Sequence, residues 1–211
     1  MARKTGSVGA ETARDVRDAA LQLFARQGYA AVSMRQIAGE VGVQASALYN
    51  HFPTKQDLLA SLMSSHMVAL IAEWEQHHRE FTNPAAALEG FVRFHIRYHA
   101  ERADEVFISY MELRNLEGQN FRTVEKLRQD YERHLRAILE EGQAQGSFMI
   151  TDIPVTAMAI IAMLTGVTTW YRSGGRLSIR QVEEIYVTMV LGSVGMHRPQ
   201  MPSEHIFEQT S

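Results

Sequence analysis

Apolar residues recur at helical spacing along nearly the whole chain, and no stretch alternates cleanly with period two. That regularity excludes a sheet with one buried face, which needs alternation. The punctuation agrees. Ser33-Met34-Arg35-Gln36 and Ser178-Ile179-Arg180-Gln181 are capping boxes, and Asn83-Pro84 is a cap followed by proline at the first helical position. Gly28 suits a left-handed residue closing the first helix, and Gly42 permits a sharp turn. The expectation is an all-α chain of about nine helices. The first spans Glu11 to Gln27 and turns Val16, Ala20, Leu23 and Phe24 inward. Two short helices follow, one capped by Ser33 and one from Gln44 to His51. A long fourth, capped by Thr54, shows a wide apolar face from Leu58 to Trp74. The fifth and sixth open at Asn83 and Asp104, a long seventh ends near Gly146, and the eighth and ninth follow Asp152 and Ser178. Four regions result: a basic arm (1–10), a helical head (11–57), a larger helical body (58–196) and a loosely packed tail (197–211).

A length of 211 residues suits one small domain joined to a larger one, with enough chain to bury a core. The absence of cysteine excludes disulfides, thiolate metal sites and a cysteine nucleophile. The basic start lacks an apolar h-region, so no signal peptide is expected and the location is read as cytoplasmic. Residues 1–57 carry seven basic and five acidic side chains, while the rest carries fourteen against nineteen. A basic end on an acidic body hints at a polyanionic partner. Ile153 to Tyr171 is an uncharged run of nineteen residues, just long enough to cross a bilayer. Pro154, Gly166 and four threonines lower its apolar density, so it reads as a buried helix and no membrane partner is expected.

Helix, glycine turn, short helix, proline and long helix within Ser33–Leu59 is the layout of a helix-turn-helix. Along its second helix stand Gln44, Ala45, Ser46, Tyr49 and Asn50, none of them acidic. Gln and Asn can pair with an adenine edge, and an alanine methyl can meet a thymine methyl. Tyr49 and Lys55 can hold phosphates, which sets register without reading sequence. Spacing alone leaves open a plain two-helix corner inside a bundle.

The segment SMRQIAGEVGVQASALYNHFPTKQDLL is similar to the signature of the TetR family of one-component bacterial repressors. The likeness lies in Ile37-Ala38, Gly42-Val43, Leu48-Tyr49, His51-Phe52, Lys55 and Leu58-Leu59. It implies that Gln44 and Ala45 face base edges, that Tyr49, Lys55, Ser33 and Ser46 meet phosphate, and that His51 packs or touches the DNA backbone. Ala45-Ser46-Ala47 stands where a Lys-Gly-Thr run is common in the family, which removes a cation that Arg35, or Arg3 and Lys4 of the arm, would replace. The resemblance also implies a homodimer through helices eight and nine, a palindromic double-stranded operator, and a small effector that releases the DNA.

For that effector the body offers Met67, Phe91, His95, Phe107, Tyr110, Met111, Tyr131, Met163 and Trp170, residues that equally suit a plain core. The C-terminal half resembles the subgroup controlling fatty-acid or steroid catabolism, whose members often answer to acyl-CoA thioesters. Arg172 and Arg176, or Arg93 and Arg97, would then meet the CoA phosphates. His95 and His99 lie four apart, but HExxH spacing is absent, and neither a metal nor a cofactor is expected. No GxSxG, P-loop or HExxH motif supports an enzyme. The alternative is a helical acyl-chain or acyl-CoA carrier with no sequence-specific DNA binding. On this reading Lys55→Ala weakens binding to every DNA sequence alike and lowers the slope of log K against log salt by about one, checked by a salt titration.

Overall fold

In the computed structural model, which describes residues 5–79 and 81–196, every regular element is helical. They are α1 (Thr5–Gln27), α2 (Met34–Val41), α3 (Ala45–Tyr49), α4 (Lys55–His78), α5 (Pro84–Glu101), α6 (Ala103–Met111), α7 (Gly118–Ala144), α8 (Ile153–Thr165), α9 (Val167–Trp170) and α10 (Ile179–Ser193). A 3-10 turn, Leu113–Asn115, joins α6 to α7. The one-turn α9 continues α8 beyond an interruption at Gly166, so with the two taken together nine helices stand among the described residues. The hydroxyls of Thr168 and Thr169 donate to the carbonyls of Thr165 and Gly166 at 2.9 and 2.7 Å. Such side-chain bonds compete with the helical ladder where the segment loosens. The first helix begins at Thr5, earlier than Glu11. Arg3, Lys4 and the tail 197–211 lie outside the described residues.

Two apolar cores share α4, whose 24 residues reach roughly 36 Å. The first core packs Val16, Ala20 and Phe24 of α1 against Ile37, Leu48, Leu58 and Met63. It also takes in Ile108, Leu116 and Val124, which the sequence assigns to the body. The second gathers Trp74, Phe91, Tyr131, Leu135, Leu164 and Val187. The head therefore shares its core with α6 and the start of α7, instead of ending in space at residue 57.

Arg93 and Arg97 bind carboxylates of their own chain rather than awaiting a phosphate. Arg97 grips the buried Glu183 through two bonds of 3.0 and 2.8 Å, and Arg93 reaches Glu89 and Glu184 at 2.7 and 2.8 Å. These pairs tie α5 to α10. The uncharged run departs from its reading as a buried helix: of the window Ile153–Trp170, 28 % is buried within the chain. That window is long and apolar enough to cross a membrane by length and composition. Ala157, Ile160 and Leu164 face the core, while Val155 and Met158 on α8, with Ile185 and Met189 on α10, stay 45–57 % exposed.

Three histidines lie inside the body. His95 has both ring nitrogens bonded, Nδ1 to the Tyr131 hydroxyl and Nε2 to the Thr165 hydroxyl, each at 3.1 Å. Among the described residues neither nitrogen of His66 has a partner, nor does Nε2 of His99. Burial, with Arg102 and Arg128 nearby, lowers the pKa of His66 to about 4. Burial, with His66 close by, takes His99 to about 3. The unfolded chain protonates these rings near pH 6.5 and the folded chain does not, so stability is lost as pH falls below 6.5 toward 4. The loss reaches roughly 2 kcal/mol per histidine by pH 5. Thermal melts at pH 7 and pH 5 test this: His66→Leu should show a smaller acid shift than the unaltered protein.

Candidate nucleic-acid interface and ligand cavity

The helix-turn-helix is built by local chemistry. Ser33 caps α2, its hydroxyl accepting from the Gln36 amide at 3.2 Å and donating to Gln36 Oε1 at 3.0 Å. The Ser33 hydroxyl proton is therefore already engaged within the chain. Gly42 closes α2 at φ 74°, a left-handed value that a side chain would strain, and its turn aims α3 across α2. Leu48 is the buried anchor of α3. Around it Gln44, Ser46, Tyr49 and Asn50 are exposed, and Arg35 is exposed on α2. The Gln44 side chain makes no capping bond, which leaves its amide available at the start of α3. Ala45, expected at a base edge, is half-buried and packs on the first core. His51 is half-buried beside α1, where a Cβ on Gly9 would stand 3.7 Å from its ring.

Lys55 holds a place that spacing did not reveal. Its ammonium donates to the carbonyls of Tyr29 and Val32, both at 2.8 Å, and stands 4.1 Å from the centre of the Tyr29 ring. Burial lowers its pKa. Two of its three N–H donors thus fasten the α1–α2 loop to the start of α4, and one is left over. The Tyr29 amide donates to the buried carboxylate of Glu112 at 3.1 Å, a bond across 83 residues of chain. Gln56 donates to the Asn115 carbonyl, and Asn120 donates to Asp57 at 3.0 Å. No local pattern signals Glu112, whose role appears only when α6 meets α1.

A cavity of about 800 Å³ opens between α6, α7 and the α8–α9 bend. Phe107, Tyr110, Met111, Arg128, Thr165 and Arg172 are among its walls. Four of the residues named from sequence therefore line it: Phe107, Tyr110, Met111 and Arg172. His95 and Tyr131 stand behind the wall, connected to it through Thr165. Met67 and Tyr131 border a smaller cleft of about 240 Å³ that also touches Tyr110. Phe91 is wholly buried, its ring 5.0 Å from Trp74 and 5.3 Å from Tyr131, and Met163 packs against the same core. Trp170 faces outward and stacks on Tyr186 of α10 at 6.4 Å. Arg176 is exposed in the α9–α10 loop, off the cavity wall. Sequence reasoning missed Arg128 and Thr165, because a charged residue on an amphipathic helix and a threonine in an apolar one carry no ligand signature.

Removing the Lys55 ammonium leaves two carbonyls without their donor, so Lys55→Ala should cost about 1–3 kcal/mol of stability. Tyr49→Ala, at an exposed site, should weaken DNA binding with little change in melting temperature. Melts and DNA titrations of both variants separate the two roles.

Residues 16–62 match the family described as bacterial regulatory proteins, tetR family, and residues 82–194 match the tetracyclin repressor-like C-terminal domain. The chain is 29 % identical over 197 residues to the HTH-type transcriptional repressor KstR2 of Mycolicibacterium smegmatis, covering 92 % of this chain and 96 % of that one. A tetR-family regulatory protein from Rhodococcus RHA1 superposes with a TM-score of 0.84 at 26 % identity, covering 89 % of this chain and 98 % of that one. AibR, solved with isovaleryl coenzyme A and operator DNA, shares the fold at a TM-score of 0.77 and 24 % identity, over 84 % of this chain and 97 % of that one. With the helix-turn-helix region and the C-terminal body both matched, this protein belongs to the TetR family of transcriptional regulators.

Proposed function

We propose that the protein acts in the cytoplasm as a homodimeric repressor on a palindromic operator, and that a small apolar effector entering the α6–α9 cavity releases it. One observation carries this reading. Helix α6 supplies Phe107, Tyr110 and Met111 to the cavity and leads directly into Glu112, whose carboxylate holds the Tyr29 amide at the base of the head. A ligand that prefers a shifted α6 therefore biases the head, whereas a ligand with equal affinity for both positions changes nothing. Gln44 and Asn50 are assigned to base edges. Arg35, Ser46, Tyr49 and the remaining Lys55 donor are assigned to phosphates.

The exposed apolar residues on α8 and α10 support a two-fold interface that buries them against a second copy. Symmetry then sets two α3 helices about one DNA turn apart. The cavity, Arg172 at its rim and the isovaleryl coenzyme A bound by AibR support an acyl-CoA effector from lipid catabolism. Arg172 and the neighbouring Arg176 are the guanidinium groups assigned to its phosphates.

Fluorescence anisotropy on DNA from upstream of the protein's own gene tests the reading, first without ligand and then with acyl-CoAs, free acids and CoA alone. The expected result is tight, salt-dependent binding that an acyl-CoA reverses. Ligand binding with no sequence-specific DNA binding would favour the acyl-carrier alternative. Glu112→Gln should keep ligand affinity while weakening release of the operator. Met189→Asp should convert the dimer to a monomer in analytical ultracentrifugation; a Met189→Asp protein that stays dimeric removes α10 from the interface.

A further inference from the structure

The cavity wall carries a hydrogen-bonded chain whose direction is set by burial. It runs from the Tyr131 hydroxyl to His95 Nδ1, from His95 Nε2 to Thr165 Oγ1, and from Thr165 Oγ1 to the Tyr110 hydroxyl, with every link at 3.1 Å. A neutral imidazole donates from one nitrogen and accepts at the other, so the chain has two possible senses. Tyr131 is almost fully buried, and His95 is its hydrogen-bond partner among the described residues. Were His95 to donate to Tyr131, the buried Tyr131 hydroxyl proton would be left without a protein acceptor among the described residues, which is costly for a buried donor. The sense that avoids this has Tyr131 donating to His95, His95 to Thr165, and Thr165 to Tyr110. Tyr110 then accepts, and its own proton is left over at the cavity wall.

Two neighbouring hydroxyls on that wall do not compete, because Thr168 and Thr169 donate to backbone carbonyls. The Arg128 guanidinium lies 4.4 Å from the centre of the Tyr110 ring and donates to the Ser109 carbonyl, which holds the phenol in place. Ala162, Val106, Phe107 and Met111 supply apolar wall around this donor. We propose that the Tyr110 hydroxyl, oriented by the Thr165–His95–Tyr131 chain, binds the carbonyl oxygen of an otherwise apolar effector and distinguishes it from a hydrocarbon of the same shape. The inference rests on the cavity being the effector site, as proposed above.

Equilibrium dialysis of the full chain, without DNA, tests the relay with two probes: methyl nonyl ketone and its isostere in which C=CH2 replaces C=O. Tyr110→Phe should lower ketone affinity about tenfold, and Thr165→Val should lower it several-fold. Affinity for the isostere should change less than twofold in both variants. Ketone affinity unchanged in both variants overturns the relay, as does an equal loss for the two probes. So does the absence of ketone binding up to its solubility limit. Because no DNA is present, failure of operator binding would refute the repressor reading while leaving this result intact.

Discussion

Tyr29 is held on both sides by side chains of opposite charge, its amide donating to the Glu112 carboxylate and its carbonyl accepting from the Lys55 ammonium. Glu112 is 6 % exposed, and a carboxylate so far from water is tolerable only when hydrogen-bonded. Through this one residue α1, α4 and α6 share an anchor. The first core, running from Phe24 through Leu58 to Ile108, closes around it. The cavity is lined by α6 and by Ala25 of α1, so it borders the elements that this core joins.

The cavity lies beside the junction of α8 and α9 at Gly166. There the Thr168 and Thr169 hydroxyls bond back to the Thr165 and Gly166 carbonyls, and the helix ends at Trp170 as Tyr171 turns to extended backbone. Phe107, Tyr110 and Met111 line it together with Thr165 and Arg172, and the Thr165 hydroxyl meets the Tyr110 hydroxyl at 3.1 Å. The inner wall is made rigid by the hydrogen bonds from Thr165 back to Tyr131. Phe107, Met111 and Arg172 remain exposed at the rim. On the outer side α8 shows Val155 and Met158, and α10, tied to α5 by the Arg97–Glu183 pair, shows Ile185 and Met189.

Much of the fold was legible because its signals are local. The boxes at Ser33 and Ser178, and the caps at Asn83 and Asp152, form in the structure where the sequence set them. Helical periodicity located the inward faces of α1, α4 and α5, and the helix-turn-helix followed from Gly42 and the Leu48 anchor. The cavity was half legible. Aromatic and methionine positions named it, yet Phe91 and Met163 went to the core and Trp170 to the outer face, since apolar side chains give the same sequence signal in either place.

What the sequence determined by itself is the helical architecture, the exposed face of α3 and membership in the family, all written in spacings of four residues or fewer and in one contiguous motif. What only the tertiary structure decided is which groups meet. Lys55 turned from a free cation into a loop fastener, Glu112 became the joint, Arg93 and Arg97 were taken by Glu89, Glu183 and Glu184, and Tyr110 was left with a donor at the cavity wall. Each of these depends on contacts between residues 23 or more apart along the chain, apart from the four-residue Arg93–Glu89 pair within α5. No local periodicity encodes such meetings; they follow from which faces the two cores bury.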